Sequence, residues 1–328
     1  MTVVIIVQTP LRIGLIGGGT DLPSFYERGS GQVLNVAIDK YIYVILKERF
    51  DELIYVNYSK KEIVERLDEL QHDLVRESMR RTGVQQGVEI TTLADIPTEG
   101  TGLGSSSAVL VGLLHALYTY QGVLKRKEEL AAEACEIEIG TLQHTIGKQD
   151  QYAAAYGDLR LYGFHPGGQV TTDRVEADRA TRRRLAQNLM LLYTEQQRRA
   201  AGILKGQVER AEANLPALRR LRDMALEARG ELECGNIDVL GEMLHANWEL
   251  KRELAEGITN PAIDEMYDRA RAAGAIGGKI TGAGGGGFLL LYCRPDQQPA
   301  VRAALNNPRE LAFDIDRVGT RVIFNIHQ

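Results

Sequence analysis

The chain has only three cysteines, Cys135, Cys234 and Cys293, widely separated and without a CxxC spacing. So small and odd a set argues against a disulfide framework and predicts a reducing compartment. The six histidines show no metal-ligand spacing. Net charge is also small. The 39 Lys and Arg against 44 Asp and Glu leave −5, which makes no electrostatic case for nucleic acid or an anionic membrane. Long apolar runs are missing. The longest, residues 108–120, is too short to cross a bilayer and contains His115. Residues 1–7 are apolar but few, carry no basic stretch and lead into Gln8 and Arg12, so they do not read as a signal peptide. These absences predict a cytoplasmic protein with neither nucleic acid nor membrane as a partner.

What is present is an ordinary globular composition, with 44% hydrophobic and 25% charged residues over 328 positions. That length predicts two domains. Strand-like segments rich in Val, Ile and Tyr fall at 3–7, 33–47, 53–58, 88–93, 189–193, 288–292 and 321–326. Helical spacing predicts helices over 60–81, 128–141, 149–156, 198–214, 217–234, 238–254, 261–273 and 299–305, and one opening at Ser105. Residues 10–21, rich in Pro and Gly, read as a turn region, and a boundary is expected near residue 188, giving 1–188 and 189–328. Strands and helices mix without regular alternation, which favours an α+β fold over a doubly wound sheet.

The 34 glycines cluster in three places. The central cluster is Pro97-Thr98-Glu99-Gly100-Thr101-Gly102-Leu103-Gly104-Ser105-Ser106-Ser107-Ala108. Its glycines let the backbone turn tightly and expose N–H groups. The serines then open a helix whose first N–H groups lack intrahelical partners and carry a partial positive charge. Loop and helix start together form an anion site of phosphate size. The same serines also suit a plain helix cap. No Gly-Lys-Ser/Thr follows, so this is not a Walker A loop. The second cluster, Gly282-Ala283-Gly284-Gly285-Gly286-Gly287-Phe288, stands between Ile280 and an apolar strand. It reads as a buried loop approaching a ligand rather than a mobile surface loop. The third cluster places Arg12 and Asp21 on either side of Gly17-Gly18-Gly19-Thr20.

In this order and spacing the clusters resemble the three motifs of the GHMP kinase superfamily, the middle one its ATP-binding motif. Thr9-Pro10-Leu11-Arg12-Ile13, Gly17 to Pro23, Ala37-Ile38-Asp39-Lys40-Tyr41, Tyr58-Ser59-Lys60, Gly147-Lys148-Gln149-Asp150 and Gly278-Lys279 resemble more narrowly the D-glycero-D-manno-heptose 7-phosphate kinases. The resemblance implies a ribosomal-S5-domain-2-like α+β unit followed by a ferredoxin-like unit. It implies ATP and Mg²⁺ as cofactors and transfer of a phosphoryl group to the anomeric hydroxyl of a sugar.

Carried over by position, the resemblance implies that Asp150 takes the hydroxyl proton and that Arg12 stands beside it and steadies the transferring phosphoryl group. Gly100, Gly102, Leu103, Gly104, Ser105, Ser106 and Ser107 would hold ATP. Ser107 and Glu138 would hold Mg²⁺, with Glu136 as the competing carboxylate. Gly18, Gly19, Thr20, Asp21, Gly284 and Gly285 would face the acceptor. Lys148 and Lys279 could contact phosphate, although solvent exposure is the ordinary fate of a lysine. Arg182-Arg183-Arg184 reads as a solvated turn. The expected partner is a small-molecule sugar or sugar phosphate, and a homodimer is the assembly to test. An unphosphorylated sugar, or a sensor that binds without catalysis, are the competing readings.

Overall fold

The first strand, Val3–Ile16 (β1), is nearly three times the expected length. The Pro10–Gly14 stretch continues it because the pairing with Gly31–Glu48 (β2) slips between Pro10 and Leu11. A proline without an N–H is tolerated at such an irregularity, and Leu11, Ile13 and Leu15 still bury their side chains completely. The turn is confined to the residues after Ile16. The computed structural model describes residues 3–97, 100–196 and 200–327.

β1 and β2 form the spine of an eight-stranded sheet. Ile54–Asn57 (β3), Lys61–Val64 (β4) and Val88–Ala94 (β5) extend it on one side of β2, and Leu159–Phe164 (β6) with Val170–Arg174 (β7) pair along the other half of β2. The short helix Pro23–Tyr26 (α1) links β1 to β2. The helix expected over 60–81 is smaller: β4 occupies its start, a single 3-10 turn forms at Leu67–Glu69, and only Asp73–Thr82 (α2) is α-helical, closed by Gly83. Residues 61–64 alternate in exposure on an edge strand, a period-2 pattern that the spaced leucines further on obscured.

Ser105–Tyr120 (α3), Lys127–Cys135 (α4) and Gln149–Tyr156 (α5) pack together, with α3 and α5 on β1 and β2. α4 does not run on as an α-helix to residue 141. It opens into a π-helical turn, Glu136–Thr141. Arg179–Asn188 (α6) leads into the second sheet. The arginines at 182–184 therefore lie on a helix, and Arg182 is buried against Asp158, which also pairs with Arg174 at 2.6 Å.

The second sheet contains Leu189–Tyr193 (β8), Gly277–Ile280 (β9) and Phe288–Tyr292 (β10) in the order β8-β10-β9. A bridge between Leu192 and Glu310 adds a fourth position beyond β8. Ala200–Glu209 (α7), Leu215–Glu233 (α8), Ile237–Arg252 (α9) and Pro261–Ala272 (α10) fall between β8 and β9, and Gln298–Ala304 (α11) follows β10. This is the βαββαβ path of a ferredoxin-like sandwich. The start of the helix expected at 198 lies outside the described residues. The final strand, Arg321–His327 (β11), pairs with β1 rather than with the second sheet. A division at 188 therefore separates it from the sheet it completes. α8 and α9 also pack against β1, so one cleft is framed by both sheets.

Candidate active site

Arg12 is fixed before its side chain does anything. Its backbone N–H donates to the Leu103 carbonyl at 3.0 Å, which ties β1 to the glycine loop ahead of α3. The guanidinium is buried. Nε and Nη2 donate to the two oxygens of Asp150, both at 2.7 Å, and Nη1 donates to the Gly102 carbonyl at 2.6 Å. Such a planar fork sets distance and orientation together. Asp150 comes from the first turn of α5, and its side chain remains 24% exposed, open toward the cavity.

Gly104 is the residue that lets these groups meet. Its φ is +76°, and a Cβ there would stand 3.2 Å from Arg12 Cγ and 3.4 Å from Asp150 Oδ2. α3 starts immediately afterwards, so its unpaired N–H groups open beside the Arg12–Asp150 pair. The Ser105 hydroxyl is buried with no partner among the described residues. Ser106 and Ser107 donate to Glu138 at 3.0 and 2.7 Å, and Gln151 donates to it at 2.5 Å. Glu138 is completely buried. Burial raises its pKa, against the three donors that favour the ionised form. Glu136 faces out and pairs with Arg81 at 2.7 Å, away from the serines that Glu138 holds.

Asp21 is held opposite. It accepts from the Gly19 N–H at 3.0 Å and from the Gln149 N–H and side-chain amide at 3.3 and 2.9 Å. Burial, with Asp150 nearby, raises its pKa. Arg12, Asp150, Asp21 and the three serines line one cavity of about 930 Å³, together with Gly18, Gly19 and Gly284. Two of the expected contacts fall outside that lining. Thr20 is buried and spends its hydroxyl on the Gly17 and Gln32 carbonyls, and Gly285 donates its N–H to the Ile258 carbonyl. Glu138 does not line the cavity either, because it lies beneath the serines. Thr98 and Glu99 of the loop lie outside the described residues.

The second half contributes residues that the motifs did not single out. Gln207 of α7 and Lys251 of α9 reach the same cavity. Lys251 is buried and donates to the Gly282 carbonyl at 2.5 Å. Burial holds its pKa down at about 8. Lys279 is not exposed, as lysines usually are: it is 2% accessible and donates to the carbonyls of Gly14 and Leu15 at 2.8 and 3.1 Å. Lys148 turns away to the Gly168 carbonyl. Asn247, Trp248 and Lys251 share the buried face of α9.

Residues 57–158 match the model of the GHMP kinases N terminal domain and residues 215–310 that of GHMP kinases C terminal. A D-glycero-alpha-D-manno-heptose 7-phosphate kinase of Campylobacter jejuni is 30% identical over 94% of this chain and 94% of its own. The chain belongs to the GHMP kinases. As a GHMP kinase it is a phosphotransferase, and its two-domain α+β architecture is that of the family. The structure of a D-glycero-D-manno-heptose 1-phosphate kinase from Bacteroides thetaiotaomicron superposes with a TM-score of 0.82 at 25% identity, covering 99% of this chain and 100% of that one. An L-fucokinase/L-fucose-1-P guanylyltransferase of Bacteroides fragilis is 27% identical over 90% of this chain, which spans 35% of that protein. Among the described residues no helix of this kinase is long and apolar enough to cross a membrane.

Proposed function

We propose that this GHMP kinase is an ATP-dependent sugar 1-kinase that phosphorylates the anomeric hydroxyl of D-glycero-D-manno-heptose 7-phosphate, giving a 1,7-bisphosphate for nucleotide-activated heptose synthesis. The observation that carries the reading is the Arg12–Asp150 pair standing beside the start of α3 in the cavity that also holds Asp21. The heptose 7-phosphate kinase among its relatives favours the acceptor.

In this reading the ATP phosphates rest on the N–H groups of the glycine loop and α3, with the unpartnered Ser105 hydroxyl as a further donor. Asp150 orients the anomeric hydroxyl and receives its proton. The hydroxyl oxygen bonds to the γ-phosphorus as the bond to the β,γ-bridging oxygen breaks, and ADP leaves. Arg12 steadies charge on the moving group, and Asp21 accepts from sugar hydroxyls.

Ser107, which lines the cavity, suits Mg²⁺, an oxygen-seeking ion, and Glu138, buried beneath it, would orient the serine for it. The Ser107 proton goes to Glu138, which leaves the serine lone pairs for a cation at the cavity wall. Bound there, Mg²⁺ would neutralise phosphate charge. No group of three or more His, Cys, Asp or Glu side chains among the described residues could hold a metal. The rest of the ion's shell would accordingly come from nucleotide and water, as Mg²⁺ usually has it.

The test is ADP release from ATP and Mg²⁺ with D-glycero-D-manno-heptose 7-phosphate, fucose, mannose and galactose. Turnover highest by far with the heptose phosphate is expected. Preference for fucose or a hexose would transfer the reading to an unphosphorylated acceptor. Nucleotide binding without ADP release on any sugar would sink it.

A further inference from the structure

Lys251 is a buried cation in a reaction cavity with no carboxylate of its own. The residue is 4% accessible, and its bond is to a backbone carbonyl, that of Gly282. The charged groups that face it come from four other elements: Arg12 of β1, Asp150 of α5, Asp21 of the glycine turn and Lys279 of β9. Arg12 and Asp150 neutralise one another in the fork. Asp21 is occupied by the Gly19 and Gln149 donors. Those donors are neutral and leave the charge of Asp21 in place, so three basic side chains face two carboxylates, and the excess positive charge is costly to bury. Lys279 spends donors on two carbonyls of β1. Lys251, bonded to one carbonyl, has N–H groups to spare.

Its position says what would use them. Gly282, to which it is bonded, presses on the nucleotide loop: a Cβ at Gly282 would lie 2.6 Å from Gly102 Cα. On the other side, a Cβ at Gly18 would lie 3.9 Å from Lys251 Nζ and equally 3.9 Å from Gln149 Nε2, the amide that holds Asp21. The ammonium therefore stands where the donor loop and the acceptor turn meet.

We propose that Lys251 is a phosphoryl-binding residue of the reaction, its ammonium donating to an anionic phosphoryl oxygen brought in by one of the two reactants. The inference rests on the sugar-kinase reading and deepens it. Two sources share this chemistry: the group in transfer from ATP, and a phosphate already carried by the acceptor.

The test compares wild type with Lys251→Met and Lys251→Arg, using ATP with heptose 7-phosphate and with the unphosphorylated heptose. The methionine variant should lose about 10- to 100-fold in kcat/KM, the usual effect of removing a hydrogen bond to a charged group. The arginine variant should retain more activity. ADP affinity should stay near wild type in both, and the melting temperature should fall in neither. Equal loss on both acceptors assigns the transferring group, and loss confined to the 7-phosphate assigns the acceptor's phosphate. A Lys251→Met enzyme within threefold of wild type on both acceptors overturns the proposal. So does an equal loss in both variants accompanied by a fall in melting temperature, the mark of a mere clamp on the Gly282 loop.

A second measurement does not depend on turnover. In wild type with ¹³Cε-labelled lysine, the signal assigned to Lys251 by its absence from Lys251→Arg should shift on addition of inorganic pyrophosphate. An unmoved signal overturns the proposal even if the enzyme proves active. If no sugar is turned over by wild type, the kinase reading fails, and the pyrophosphate response still decides whether Lys251 binds phosphoryl groups.

Discussion

Arg12 and Asp150 are 138 residues apart in the chain, yet they meet through two parallel bonds of 2.7 Å. Strand β1 supplies the cation and the first turn of α5 the carboxylate, and Gly104 is the small residue that leaves room between them. Asp150→Asn keeps the size of the side chain and removes its capacity to take a proton. Turnover should fall by roughly 10²–10⁴-fold, the range for loss of a general acid–base group. Nucleotide affinity should change little. Steady-state ADP release together with calorimetry on ADP checks both halves. A variant within a few-fold of wild type would remove Asp150 from its assigned role.

Gly104→Ala tests the hinge itself. The left-handed conformation at φ +76° costs a residue with a Cβ about 1–2 kcal/mol. The added methyl would also press on Arg12 and Asp150, both within 3.4 Å of it. Stability in urea should fall by about that amount, and kcat should drop further than a loss of stability alone explains, because the fork must shift. A variant with wild-type kcat would mean that the loop repositions without disturbing the pair.

Much of this site was legible because its signals are local. Glycines next to serines announce a tight turn and a helix start wherever they stand, and α3 begins at Ser105 as read. Asp150 falls in the first turn of a helix whose bounds were also readable, Gln149–Tyr156. What escaped depends on distant packing. β9 is Gly-Gly-Lys-Ile, a poor strand by propensity. It forms because β10 pairs with it and α9 crowds it so closely that a Cβ at Gly277 would lie 1.9 Å from the Gly241 carbonyl. The same crowding buries Lys251 and Lys279. Near the end of a polar helix or beside two glycines, either lysine reads as solvated. β6 was hidden by Arg160 and Gly163 within an otherwise apolar run, and β11 gave no sign of which sheet it would join.

Glu138→Gln separates the carboxylate's charge from its shape. Glutamine has one carbonyl oxygen where three donors now converge on two. Turnover should fall and the Mg²⁺ concentration for half-maximal activity should rise, which a magnesium titration at saturating ATP measures. Stability should move in a defined direction with pH. Burial raises the Glu138 pKa above its ordinary 4.5, so between those values the native state binds more protons than the unfolded chain. The wild-type contribution therefore falls as pH rises through that window. The difference in melting temperature between variant and wild type should follow the same curve, and a pH-independent difference would count against a buried carboxylate.

Lys251 gives the opposite sign and the sharpest pH test. Its pKa is lowered from 10.5 to about 8 by burial, so between those values the unfolded chain holds a proton that the native state has released. Stability of the ligand-free protein should accordingly rise with pH across that interval. At about 1.4 kcal/mol per pKa unit the rise is on the order of 3 kcal/mol. Lys251→Met has no such proton, so the gap between wild-type and variant stability, measured by urea unfolding at several pH values, should shift by that amount. An anionic ligand reverses the preference, because it binds the ammonium and not the free amine. Affinity for a phosphoryl ligand should therefore weaken as pH rises past about 8, in wild type but not in Lys251→Arg. Parallel unfolding curves for wild type and Lys251→Met would show that the amine is hydrated after all, and the charge imbalance on which its role rests would disappear.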